Sequence, residues 1–252
     1  QVMRTALDHA RLLMVLLALP AALFVCEEAA AASGTTTVAA AATAHPAVAS
    51  EMNGVWLPDR RRSERPAQWP LTESARQAAE RYKAQYGPVD PTVDDANASC
   101  IPESMPYPMR LIAQYPFEIL FTPGRMTMFF EIFGNMRRIP VGSGKPVLEA
   151  LPTAMGRSVG HWEGDTLVIQ TDRIRRDGAG APLGNPPISS ARRIVERLSV
   201  GKNPEGRKEL RNEITIHDPV VLTAPVTMRM AYKWSPDIEV GEYLCQQDIW
   251  DQ

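Results

Sequence analysis

The feature that most constrains this chain begins at Pro116, where apolar residues start to recur at every second position. Phe117-Glu118-Ile119-Leu120-Phe121-Thr122 runs into Pro123-Gly124, and Met126 to Ile139 resumes as one long strand with Gly134 as its bend. The same period returns over Ser158–Trp162, Thr166–Thr171, Arg192–Val200, Glu209–His217, Val226–Trp234 and Val240–Gln246. Alternation of this kind marks half-buried strands, because successive side chains point to opposite faces. Turn chemistry separates most neighbours, as in Glu163-Gly164-Asp165, Lys202-Asn203-Pro204-Glu205-Gly206 and Ser235-Pro236-Asp237. These strands at hairpin spacing predict a mainly β fold, an antiparallel meander over 116–252. Closing the meander removes its exposed edges. The expected architecture is therefore a lipocalin-like barrel, with a sandwich as the alternative.

Ahead of the barrel the pattern differs. Residues 1–26 pass from Arg4 and Arg11 into Leu12 to Leu19, then Pro20 and an apolar stretch to Cys26. That run is short for a membrane span, which needs roughly 20 residues, and fits the core of an export signal; an N-terminal anchor is the alternative. Cleavage sites of Ala-x-Ala type lie within Ala29 to Ala32 and at Ala47-Val48-Ala49. Val25 before Cys26 speaks against lipidation. The Ala- and Thr-rich tract to residue 49 has no apolar periodicity and is expected to be a linker. Over 50–115 the prolines and charges predict an irregular segment containing one helix, 72–86, capped by Thr72 and stopped at Gly87-Pro88. An exported chain with Cys100 and Cys245 beyond its leader is expected to join them in a disulfide worth about 4 kcal/mol. The expected location is the periplasm or the extracellular medium, with no stable membrane span in the mature chain.

Parity within each strand assigns faces. Ile194, Glu196 and Leu198 share one side, as do Leu210, Asn212, Ile214 and Ile216, and as do Met228, Met230, Tyr232 and Trp234. Phe129, Glu131 and Phe133 stand opposite Met126, Met128, Phe130 and Ile132. A carboxylate aimed into an apolar interior must be paired, hydrogen-bonded or protonated. Glu196 and Glu131 are thus candidate acid/base groups or ligand anchors, with Arg137 and Arg138 placed to steady developing negative charge. A salt bridge to an arginine, from Arg137, Arg138, Arg192 or Arg197, is the structural alternative. The apolar binding set is Phe129, Met228, Met230, Tyr232 and Trp234, because a barrel of about eight strands is just wide enough for one small ligand.

Other chemistries find little support. With 27 Lys and Arg against 29 Asp and Glu, a net charge of -2 and a pI near 6.1, the chain has no basic footprint for nucleic acid. Gly156-Arg157-Ser158-Val159-Gly160 matches the spacing of a nucleophile elbow, but that motif needs a strand-to-helix turn and no helix pattern follows. His161 and His217 with two cysteines make no zinc site, and neither a calcium loop nor a phosphate loop is present. No metal and no tightly held cofactor are implied, and the sequence carries no signal for an oligomeric state.

Trp162-Glu163-Gly164-Asp165-Thr166-Leu167-Val168-Ile169, preceded by Gly156-Arg157-Ser158-Val159-Gly160 and followed by Val195-Glu196-Arg197, Ile214-Thr215-Ile216-His217-Asp218-Pro219 and Glu242-Tyr243-Leu244-Cys245, resembles a family of secreted bacterial proteins carrying a WEGDTLVV segment. The resemblance spans Pro102 to Cys245 and implies an exported barrel, without implying a reaction. Two departures stand out. Relatives tend to show Asp-Gly-Arg where this chain has Val141-Gly142-Ser143-Gly144-Lys145, and a histidine where it has Ile188 before Ser189. Within the segment, Trp162 and Asp165 are either hairpin anchor and turn residue or a rim site, in which Trp162 stacks on a ligand while Asp165 and Arg138 take its polar end. The leading expectation is an exported protein that binds a small, partly apolar molecule inside a barrel. A cofactor-independent lyase or isomerase and a structural or partner-binding envelope protein are the alternatives.

Overall fold

The computed structural model describes residues 46–86, 102–110, 115–142, 151–175 and 187–244. All of them belong to one compact unit, Ala40–Gln252. Its elements in chain order are α1 (Pro46–Met52), β1 (Gly54–Pro58), α2 (Glu73–Tyr86), α3 (Tyr107–Arg110), β2 (Phe117–Thr122), β3 (Arg125–Phe130), β4 (Met136–Pro140), β5 (Arg157–Glu163), β6 (Thr166–Asp172), β7 (Arg193–Lys202), β8 (Lys208–His217) and β9 (Val226–Trp234).

Among the described residues, nine strands form one antiparallel sheet in the order β4-β3-β2-β1-β9-β8-β7-β6-β5. The sheet curls into a nearly closed barrel, and its two edge strands meet through an isolated parallel bridge between Val141 and Gly160. There the Gly142 N–H donates to the Gly160 carbonyl at 2.9 Å. Gly160 permits this approach: a Cβ at that position would stand 3.3 Å from Leu167, 3.4 Å from Val141 and 3.5 Å from Ile139.

The alternating pattern places most faces correctly. Ile194, Glu196 and Leu198 point inward from β7; Leu210, Asn212, Ile214 and Ile216 from β8; Met228, Met230 and Tyr232 from β9. Facing them are Trp56, Phe117, Ile119, Met126, Met128 and Phe130, so the core is one continuous cluster of aromatic and Met-rich side chains. The Phe117 ring meets Tyr232 edge-on at 4.9 Å and Phe130 at 5.5 Å.

Four expectations are corrected. The run from Met126 to Ile139 is two strands, not one: a 3-10 turn, Ile132–Gly134, separates them, with Phe133 and Gly134 both at positive φ. Gly54–Pro58 is a strand, although it lies in the stretch expected to be irregular; it pairs with β2 through Trp56–Phe117 and with β9 through Trp56–Trp234, joining the two halves of the barrel. Residues 46–52, of which 46–49 fall in the expected linker, form α1 and bury Ala49 and Met52. Residues 240–244 carry no strand. For β1 the deciding factor is its pairing with two strands remote in sequence, which a local pattern does not contain. The helix expected over 72–86 is present as α2, and the Thr72 hydroxyl accepts the Ala75 N–H at 3.3 Å as its cap. Cys100 and Cys245, and the leader with Cys26, lie outside the described residues.

Candidate functional site

A polar layer crosses the barrel interior, contributed by five consecutive positions around the wall. Arg137 on β4, Ser158 on β5, Thr171 on β6, Glu196 on β7 and Asn212 on β8 all point inward and are buried. The Arg137 guanidinium forks onto Glu196, donating to Oε2 at 2.6 Å and Oε1 at 3.2 Å. The same group donates to Ser158 Oγ and Thr171 Oγ1, each at 3.1 Å, while Asn212 Nδ2 donates to Glu196 Oε1 at 3.0 Å. A bidentate arginine–carboxylate pair is the strongest form of charged hydrogen bond. Its location matters as much as its strength. Arg137 sits on one sheet edge and its partners on the other side of the seam, so the pair clasps β4 to β5, β6 and β7 where the backbone ladder is reduced to a single bridge.

Glu196 and Arg137, picked from the sequence as catalytic candidates, are thus brought together; both carboxylate oxygens are occupied, and a proton-shuttle role needs that fork to open first. Two sealed atoms of the layer, Arg137 Nε and Asn212 Oδ1, have no hydrogen-bond partner among the described residues. Beside the layer the Tyr232 hydroxyl donates to the Met109 carbonyl. Burial, with the negative charge of Glu196, holds the Tyr232 phenol well above its ordinary range. The unfolded chain therefore loses this proton first as pH rises, so the stability attached to neutral Tyr232 is complete below about pH 10 and is lost above it. We expect the urea midpoint to fall above pH 10 in the wild type, and to fall less steeply in Tyr232→Phe. Equal alkaline slopes in the two proteins would remove Tyr232 from the account.

The remaining expected site residues scatter. Glu131 does not face the interior: Phe130 takes the inward position, and Glu131 instead accepts the Gly241 N–H at 2.8 Å, tying down the segment after β9. Arg138 follows the alternation outward and is exposed. Met228, Met230 and Tyr232 are interior but packed in the core. Phe129 is half-buried on the outer face, whereas Trp234 shares the face of its cross-strand partner Trp56; both line a groove with Gly54, Glu118 and Ile238, and Lys208 Nζ stands 4.7 Å from the centre of the Trp234 ring. Trp234 is the last residue of β9 and is 42% exposed at the barrel end. Trp162 is buried with its ring stacked on Phe121 at 6.0 Å, whereas Asp165 sits exposed on the hairpin turn, so the proposed rim trio is not assembled. Ser158 faces the interior and His161 the outside, which separates the nucleophile and base that a serine hydrolase needs. No group of three potential metal-ligating side chains occurs among the described residues.

Sequence reasoning missed a cleft of about 840 Å³ at the barrel end where β6 and β8 finish and β7 and β9 begin. Ile174, Leu222 and Pro225 supply apolar surface; Arg193 and His217, cross-strand partners on the outer face, supply polar edges. One wall is rigid. Asp218 is buried and accepts from Arg192 Nε at 3.1 Å, the Ser189 N–H at 3.1 Å and the Ser189 hydroxyl at 2.5 Å. Arg173 lines the cleft with a positive φ of 49°, a strained conformation for a residue with a side chain. The Asp218-Pro219 and Ser189-Ser190 turns were the available sequence signal, but neither shows periodicity.

No protein-family model matches the sequence, and no curated protein matches it. Among solved structures, the chain is similar to the secretary abundant heat soluble (SAHS) protein of Ramazzottius varieornatus, with 12% identity, a TM-score of 0.34, and coverage of 73% of this chain and 96% of that one. The barrel assignment rests on the strand register itself. No helix among the described residues is long and apolar enough to cross a membrane.

Proposed function

We propose that this protein is an exported binding protein for a small, partly apolar molecule, and that the ligand occupies the cleft at the barrel end rather than the barrel centre. The observation that carries the reading is the cleft itself. Its volume of about 840 Å³ suits a small molecule, since such sites typically span about 300–1,000 Å³. Apolar Ile174, Leu222 and Pro225 meet polar Arg193 and His217 there, while the barrel centre is filled by the protein's own Trp56, Met128, Met228, Met230 and Tyr232. The signal-like pattern of residues 1–26 supports export.

The test uses anilinonaphthalene sulfonate, which joins an apolar ring system to one anionic group, titrated into the folded protein. Ala224, exposed in the cleft wall, is replaced by tryptophan to fill the space without touching the core. We expect one saturable site in the wild type and at least tenfold weaker binding in Ala224→Trp. If instead Met228→Ala, which alters only the interior, shifts affinity more than Ala224→Trp does, the ligand belongs in the barrel centre.

A further inference from the structure

Arg110 ends α3, and its guanidinium carbon stands 5.3 Å from the centre of the Tyr107 ring. The side chain is half-buried and, among the described residues, holds no ion pair and no hydrogen bond. Other enclosed arginines of the protein are treated differently. Arg137 holds Glu196 and Arg192 holds Asp218, with the arginine side chains 1% and 3% exposed. A guanidinium withdrawn from water without a counter-charge is strongly unfavourable, so charges in such places are normally paired.

The surroundings add to the imbalance. Burial pushes the Arg110 guanidinium down to about 10; Tyr107 and Glu103 counter this, and the positive charges of Arg65 and Arg192 reinforce it. Nor is the position a loose one. The Met105 N–H donates to the Ala154 carbonyl at 2.9 Å, Arg175 donates to the Pro102 carbonyl at 2.9 Å, and Tyr232 reaches Met109 from the barrel interior. The segment 102–110 is therefore held on several sides, and Arg110 is presented by a fixed support.

We propose that Arg110 anchors a binding site for an oxyanion, the carboxylate, sulfate or phosphate group of a small molecule, with Tyr107 backing the guanidinium. The planar fork of arginine matches two oxygens of such a group, and an aromatic ring behind it leaves the N–H edge available. Arg110 does not line the end cleft, so the site stands without the reading proposed above.

Sulfate is the probe, added in the millimolar range at constant ionic strength against chloride, with thermal unfolding of the full chain as the readout. A ligand that binds only the folded state raises the melting temperature in a saturable way. We expect that saturable rise in the wild type and its loss in Arg110→Gln, whose melting temperature without sulfate is unchanged or higher because an uncompensated charge has gone. Arg110→Lys keeps the charge without the fork and should bind sulfate at least tenfold more weakly. A wild type with no saturable response, or an Arg110→Gln variant that responds like the wild type, overturns the proposal. So does an Arg110→Gln variant that is less stable or fails to fold, because the guanidinium is then compensated within the protein.

Discussion

Replacing Glu196 by glutamine should lower the unfolding free energy at pH 7 by about 3 kcal/mol, because breaking a buried ion pair from one side leaves the other charge uncompensated. The substitution keeps the shape of the side chain. What it removes is the charge that faces Arg137, a guanidinium bound to Glu196 through both terminal nitrogens and sealed in the barrel interior. Against a typical stability of about 5–15 kcal/mol, that loss is large. Urea unfolding reads it as a drop in midpoint at unchanged slope. The double variant Arg137→Met/Glu196→Leu should recover most of the loss, since well-packed apolar residues commonly replace a buried pair at little cost. A Glu196→Gln protein with the wild-type midpoint would mean that Arg137 is not the clasp of the seam.

Gly156→Ala should cost about 3 kcal/mol for a different reason. Gly156, immediately before β5, has a φ of 63°, in the left-handed region that side chains disfavour. A Cβ there would stand 2.7 Å from the Asp172 carbonyl oxygen and 2.8 Å from both Ile174 and Thr171. Conformational strain of about 1–3 kcal/mol then combines with overpacking of similar size. Gly164 is the control, since its φ is 58° but nothing stands within 4 Å of its added Cβ. Gly164→Ala should therefore cost about 1 kcal/mol, the conformational part alone. Equal midpoints for the two variants in urea would show that the close approach of β5 to the end of β6 contributes nothing.

The polar layer and the cleft differ in how far they could be read from the chain. Glu196 was legible because Ile194 and Leu198 flank it at period two, and a carboxylate between two inward aliphatics has to be accounted for. Arg137 was legible only as one of four possible partners. Choosing it required knowing that β4 and β5 close the barrel, which depends on contacts between strands distant in sequence. Glu131 departs from its expected place because β3 stops at Phe130: Glu131 already has helical dihedrals at the start of the 3-10 turn, so strand alternation no longer sets its direction. Asp218 carried only the turn signal of Asp218-Pro219, and Arg110 carries no pattern at all.

By itself the sequence determined the β class, most strand positions, the cap of α2 and the inward faces of β7, β8 and most of β9. These follow from neighbours two to four residues apart, where backbone geometry converts spacing directly into direction. Only the tertiary structure decided that β1 joins the halves of the barrel, that Met105, Tyr107 and Met109 are buried, and which arginines find a carboxylate. Burial and charge pairing depend on which remote segments come together, and the free energy of an enclosed charge is set by those partners rather than by its own stretch of chain.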